Sequence, residues 1–330
     1  MTFTADGEYI VGGGDELGVW RVKDGKQMAT MAAEDVGCVA VSKDRRWIAA
    51  GTFYGYAIVW DGKTFEKVFT HKEDDHVIYG VDFSPDSTSL ITASQNLTAT
   101  VWDVAASKKV LTLHHARWVI AAKYSPQGDR IATATRESVR VWDSNDGRLL
   151  VDIPVKAIPL FNTGLLWSNN RLLVISVNKI KVFEASTGST VSEWPVRCSN
   201  SYSCIALPKN GEFIAYSTYD TLTLWGVSTH AQLGLIQHPQ NIYSIALSPD
   251  DQFLAIGGYG KKISLSRMRV SIVFLWINRG GSELVPFVFP NRIQFHCLVY
   301  IPLSRNPIFR STTLPLIHGS TISSRTRRRC

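Results

Sequence analysis

Apolar and polar residues alternate in short runs along most of the chain, and the runs come in sets. Between residues 77 and 113 the alternation predicts four strands, Val77–Phe83, Ser89–Ala93, Thr98–Asp103 and Lys109–Leu113, separated by turn-forming residues. A hydrophobic dipeptide near the end of the third strand recurs as Val19-Trp20, Val59-Trp60, Val101-Trp102, Val141-Trp142, Val182-Phe183 and Leu224-Trp225. Successive spacings are 40, 42, 40, 41 and 42 residues, and one further period lands on Leu265. In three copies the next residue is an aspartate: Asp61, Asp103 and Asp143. A period of this length is the mark of a repeat architecture.

A second element keeps the same phase. It reads Phe3-Thr4-Ala5-Asp6-Gly7, Val41-Ser42-Lys43-Asp44-Arg45, Phe83-Ser84-Pro85-Asp86-Ser87 and Tyr124-Ser125-Pro126-Gln127-Gly128, then Leu207-Pro208-Lys209-Asn210-Gly211 and Leu247-Ser248-Pro249-Asp250-Asp251. Each is a tight-turn signal between two apolar runs, and so a hairpin connection. Every period thus encodes about four short strands and no helix. One such sheet leaves two apolar faces uncovered, whereas radial stacking of sheets buries both and protects the edges. The expected fold is all-β, a β-propeller.

These motifs resemble the WD40-repeat family: the 40–42-residue period, the turn of the Phe-Ser-Pro-Asp-Gly type, and Trp-Asp closing the third strand. The resemblance covers residues 1–265 and implies a seven-bladed propeller anchored at Trp20, Trp60, Trp102, Trp142, Phe183, Trp225 and Leu265. Within the family, the sequence looks similar to the expanded WD40-repeat proteins of mushroom-forming fungi. The first unit already sits at the turn by Phe3, so its leading strands are expected to be missing, which puts in doubt the usual closure by strands from both termini. The family also uses a hydrogen-bonded set of His, Ser/Thr, Asp and Trp in each blade. Counted from the turn, His115 and His238 match the histidine, and His71 matches if its loop has an insertion. The nearest full set is His71, Ser94, Asn96 and Trp102. The aspartate position reads Gly14, Tyr54, Asn96, Arg136, Val177, Tyr219 and Tyr259. That position lies in the loop between second and third strands, on the rim called top below. Two readings stand: drift in degenerate repeats, or tyrosines offering contact area to a protein partner. Neighbouring loops add Tyr79, Trp118, Tyr202 and Tyr243 to such a rim. Substrate receptors of cullin ligases in this family often carry an arginine three residues after the tryptophan; Lys63, Ala105 and Asn145 stand there instead.

Charge divides the chain sharply. Residues 1–265 carry 25 Lys and Arg against 27 acids, a net −2, while residues 266–330 carry ten arginines against Glu283, a net +9. The basic balance therefore belongs to the last fifth and says nothing of nucleic acid for the body. Residues 266–330 are expected to be a non-repeat, irregular basic tail. It is either a mis-spliced or out-of-frame segment, an interaction tail for nucleic acid or an acidic surface, or a peripheral membrane anchor. Val270–Ile277 is the expected outer strand of blade seven, with residues 290–330 irregular. Hydrophobic residues at 45% suffice for a large core. No stretch approaches 18 uninterrupted apolar residues, and the opening residues lack a signal-peptide pattern. Cys38, Cys198, Cys204, Cys297 and Cys330 form no CxxC pair, which suits a reducing compartment. An intracellular protein is expected, cytoplasmic or nuclear.

Catalytic patterns are weak. Gly12-Gly13-Gly14 lacks the Lys-Ser/Thr of a phosphate loop. Glu73-Asp74-Asp75-His76 fits no EF-hand spacing and reads as a solvated loop. The leading expectation is a non-catalytic scaffold that binds proteins or peptides, without cofactor, metal or small-molecule substrate. Its alternatives are nucleic-acid or acidic-surface binding through the tail and, least supported, a propeller enzyme.

Overall fold

Seven four-stranded antiparallel sheets follow one another along the chain, each built from four consecutive strands. The computed structural model describes residues 1–155, 164–176, 178–196, 203–258, 262–278 and 284–302. Blade three shows the pattern: Ile78–Phe83, Ser89–Ser94, Thr98–Asp103 and Lys108–His114, from the channel outward. The hairpin turns behave as their residues dictate. In blade three Ser84 Oγ donates to Asp86 Oδ1 at 2.5 Å, and Asp86 accepts the Thr88 N–H. The turn's fifth residue is left-handed in six blades: Gly7, Arg45, Ser87, Gly128, Gly211 and Asp251. The aspartates after the tryptophans cap the following turn, Asp61 accepting from the Lys63 and Thr64 N–H groups and Asp143 from Asn145. Those N–H donors hold both carboxyls below their usual range.

The core is not central. It is divided into seven apolar layers, one between each pair of neighbouring blades. Trp60 lies in the layer between blades one and two, Trp102 between two and three, and Trp142 between three and four. A β-bulge in each outer strand lies opposite the tryptophan position: Val101 pairs with Leu111 and Trp102 with Lys109, leaving Val110 over. Such bulges raise the local twist that lets the sheets fan around an axis.

Blade seven departs from the expectation. The residue facing the tryptophan of the other blades (Leu90 facing Trp102) is Leu254, and it faces Ser266, not Leu265. A one-residue shift moves a side chain to the opposite face, so Leu265 packs on blade one while buried Ser266 holds the tryptophan position. Val270–Ile277 does not form the outer strand. It continues the third strand, Lys262–Asn278, and the outer strand is Leu284–Pro302. Only Lys262–Arg267 pair with the blade's second strand, so the rest of this hairpin runs beyond the sheet. The β-branched and aromatic run from Val270 to Ile277 favours the extended conformation. Residues 290–302, expected to be irregular, are therefore strand, whereas 303–330 lie outside the described residues.

Closure needs no strand exchange. In blade one the outer strand is Gln27–Met31 and the innermost is Thr2–Phe3. That stub touches the innermost strands of blades two and seven, completing the ring. The Met1 ammonium donates to Ser244 Oγ at 2.9 Å, and Phe3, Ile10 and Trp20 pack on Ala255, Ile263 and Leu265. With two residues pairing at the innermost position, this seam is expected to exchange amide hydrogens faster than blades three and four. Hydrogen exchange read by mass spectrometry checks this, and uniform protection around the ring would contradict it. Among the described residues no helix is long and apolar enough to cross a membrane.

Candidate functional site

The top rim is formed by the loops between second and third strands together with the loops that lead from one blade to the next. Over blades one to three, backbone hydrogen bonds tie these loops into one sector: Val36 N–H to the Gly14 carbonyl at 2.9 Å, Phe53 N–H to Asp35 at 3.0 Å, and Glu73 N–H to Gly55 at 3.0 Å. Gly55 has φ +78°, and a Cβ there would overlap the Asp74 carbonyl, so only glycine lets the two loops meet.

Two large aromatic side chains stand out of this sector, Phe53 at 41% and Tyr54 at 53% exposure. Exposed acids surround them: Asp15, Glu16, Glu34, Asp35, Asp74 and Asp75. The Asp35 carboxylate near the Tyr54 hydroxyl raises the phenol above its ordinary range. Lys72 pairs with Asp75, and His76 with Asp74 at 3.2 Å. Below the rim the axial channel has a volume of 1110 Å³, lined at its mouth by Phe53, Tyr79 and Tyr243 and deeper by Cys38, Lys123, Cys204 and Ser244. Lys123 Nζ pairs with Asp82 at 2.9 Å. Burial pushes the Cys38 thiol up to about 12, leaving almost no thiolate at neutral pH. Among the described residues no group of three or more His, Cys, Asp or Glu side chains is placed to hold a metal ion.

The rim residues expected from sequence do not form one patch. Tyr54 stands beside Phe53 in blade two, Tyr79 and Tyr243 are half-buried at the channel, and Trp118 is exposed beside the Arg117–Glu137 ion pair of blade four. Arg136 is exposed in the next loop, and Tyr219 is 53% exposed across the ring in blade six. Tyr202, Tyr259 and Val177 lie outside the described residues. Phe53 and the acids lie outside the tyrosine column of the repeat, and only the folding of successive loops onto one another brings Glu34-Asp35 beside Phe53-Tyr54.

The buried polar sets also differ from the expectation. His71 stacks on Trp102, ring centroids 4.6 Å apart, and its Nε2 bonds Ser107. Trp102 Nε1 donates to Thr92 Oγ1 at 3.2 Å, not to Ser94, and Asn96 caps its own loop at Thr98. Thr92 bonds the carboxyl of Glu73. Trp142 Nε1 donates to Thr133 at 2.8 Å. His115, expected to be hydrogen-bonded, meets Trp142 edge-on at 5.2 Å, and both ring nitrogens are buried without a partner among the described residues. His238 does make bonds, to the Gln240 carbonyl at 2.8 Å and to Ser264 at 3.1 Å.

Comparison with known proteins agrees with this architecture. Residues 25–61, 63–103, 107–143 and 231–265 match the family described as WD40, "WD domain, G-beta repeat". The chain is 25% identical over 238 residues to the transcriptional corepressor LEUNIG_HOMOLOG of Arabidopsis thaliana, covering 69% of this chain and 29% of that protein. It is 44% identical over 82 residues to WD repeat-containing protein 1 of Xenopus tropicalis, covering 24% of this chain and 14% of that one. It is 21% identical over 215 residues to the serine-threonine kinase receptor-associated protein of Gallus gallus, covering 63% and 60%. The chain thus spans less than two thirds of the length of each of these relatives. A chain in the crystal structure of the mitotic checkpoint complex superimposes with a TM-score of 0.68 at 19% identity, over 78% of this chain and 85% of that one, which speaks for the fold. The chain thus carries four repeats that match the WD40 family, and its fold is a seven-bladed β-propeller.

Proposed function

We propose that this propeller is a non-catalytic scaffold that holds a protein or peptide on its top rim, with the Phe53–Tyr54 sector as the main contact and Tyr219, Tyr243 and Trp118 extending it. The observation that carries this reading is an exposed aromatic pair on the top rim, Phe53 also lining the channel, with six exposed acids in the loops tied to it. Aromatic side chains give large contact area at low entropic cost, and charges around them select the partner. A partner segment of net positive charge suits this sector. The names of the relatives, a transcriptional corepressor, a kinase receptor-associated protein and a checkpoint complex, describe proteins that work with other proteins, and the same kind of role is the reading for this chain. An intracellular setting, cytoplasmic or nuclear, belongs to that reading. So does the finer likeness to the expanded fungal repeat proteins, which rests on the repeat sequences alone.

Changing Tyr54, Tyr219 and Tyr259 together to Ala, alone or with Phe53→Ala, is expected to weaken a partner recovered by pulldown by about tenfold or more, as loss of an aromatic anchor does. Far-ultraviolet circular dichroism should stay unchanged, and the affinity should fall with added salt. Binding unchanged within error would overturn the rim as the site and favour drift of the tyrosine column. Binding to nucleic acid through the arginine-rich segment is the second reading, motivated by six arginines and no acid in residues 303–330. Truncation to test it belongs after Pro302, because ending at Leu265 would strip blade seven of its outer strand. Retention on heparin that survives this truncation would remove that reading.

A further inference from the structure

One ionisable side chain occupies a position that two other blades give to histidine. Counted from the bulge of the outer strand, Glu73, His115 and His238 are equivalent. Each donates its backbone N–H to the loop between second and third strands of its own blade, at the Gly55, Leu97 and Asp220 carbonyls. From there the Glu73 side chain reaches into blade three. Its Oε1 meets Thr92 Oγ1 and lies 3.3 Å from Trp102 Nε1, while Oε2 is buried without a hydrogen-bond partner among the described residues.

Thr92 has one proton and two acceptors within reach, the Glu73 carboxyl and the Thr100 carbonyl at 3.2 Å. If Glu73 is ionised, Thr92 must donate to it, and the buried Oε2 keeps negative charge with no donor. If Glu73 is neutral, its own O–H donates to Thr92, and Thr92 turns to Thr100. Trp102 donates into the chain in either state. One proton, exchanged with bulk water, therefore interconverts two hydrogen-bonded arrangements, and only the neutral one leaves no charge in the seam on a carboxylate with one oxygen bare.

We propose that Glu73 is a proton-linked latch between blades two and three: neutral, it ties the loop 73–76 to blade three, and ionised, it releases that loop. Burial raises the Glu73 carboxyl above its ordinary value, in the direction this requires. Among the described residues, Lys109 and His71 both contact the Trp102 ring, the Glu73 charge acts on Cys38 of blade two, and Lys72, Asp74, Asp75 and His76 share or adjoin its loop. The hydrogen bonds from Thr92 and Trp102, and after them Lys109, oppose the shift, and burial outweighs them. The released loop carries Asp74 and Asp75 and packs on Gly55, so the latch sets how firmly the acidic side of the rim is held. It stands whether or not that rim binds a partner.

The test is the Trp102 indole N–H resonance, followed by NMR from pH 4 to 8 together with amide exchange of residues 72–78 corrected for its intrinsic pH dependence. The wild type should show one titration with a midpoint above 4.5, the ordinary glutamate value, and loop protection falling by about tenfold for each pH unit of the shift as the carboxyl ionises. Glu73→Gln, which mimics the neutral acid, should hold the loop protected at every pH. Thr92→Val should uncouple the indole signal from pH. His76 pairs with Asp74 in the same loop, so His76→Asn is the control and should leave the titration in place. A pH response that persists in Glu73→Gln, that vanishes in His76→Asn, or whose midpoint lies at or below 4.5 would overturn the latch.

Discussion

Trp102→Ala is expected to cost about 3–5 kcal/mol of folding stability, the range for truncating a large buried aromatic side chain. The indole is 5% exposed and lies in the layer between blades two and three, among Val81, Phe83 and Leu90. Its loss would open a cavity in that layer and take away the flat face on which His71 stacks. It would also leave Thr92 and Glu73 without the N–H that now donates between them. Trp142→Ala should fall in the same range, since that indole is 7% exposed and its N–H is satisfied by Thr133. Urea or guanidinium melts at neutral pH measure both. A loss below about 1 kcal/mol at either site would mean that the blades do not meet through their tryptophans.

That expectation rests on the part of the fold most legible in the sequence. A recurring Trp-Asp pair and a recurring turn in fixed phase determine both strand alternation and which face of each blade the tryptophan occupies. Period-2 patterning carries this through blades one to six. In blade seven it fails by one residue, because apolar Leu265 marks the wrong position of the pair while the small polar Ser266 is buried too, and only the strand register shows that Ser266 faces Leu254. The strands after Leu265 were illegible for a different reason. At 17 and 19 residues they far outrun the other strands, and the Gly280-Gly281-Ser282 turn signal between them falls outside the phase of the repeat.

Legibility was lower at the candidate site. Tyr54 and Tyr219 were found because they break a column of the repeat, and both are exposed. Phe53 and the acids around it belong to other columns and adjoin only when loops from successive blades are folded together. Glu73 shows the limit most clearly. Counting back nine residues from Phe83 lands on Asp74, whereas the same count from Tyr124 and Leu247 lands on His115 and His238. The loop before blade three is one residue longer, and a count from the turn side slips past the carboxyl that enters the seam.

His115 should make the propeller lose stability in mild acid. Burial, with Arg140 adding like-charge repulsion, lowers its imidazole from the ordinary 6.5 to about 4. The unfolded chain binds a proton at this residue below 6.5 and the folded chain does not until about 4, so stability is complete above 6.5 and falls as pH drops through that window. At 1.36 kcal/mol per pH unit the loss reaches about 3 kcal/mol near pH 4. Carboxyls held low by turn hydrogen bonds, such as Asp61 and Asp86, lose their contributions at more acid pH, outside this window. Glu73 works the other way: its raised value makes stability grow as pH falls toward 4.5, so the wild-type profile mixes the two. His115→Leu separates them. With both ring nitrogens lacking partners among the described residues, an apolar replacement removes a desolvation cost without stranding another group. Denaturant melts from pH 4 to 7 are expected to show this variant at least as stable as the wild type at pH 7 and more stable by about 3 kcal/mol at pH 4. Parallel profiles for the two proteins would mean that His115 is not held neutral against Trp142.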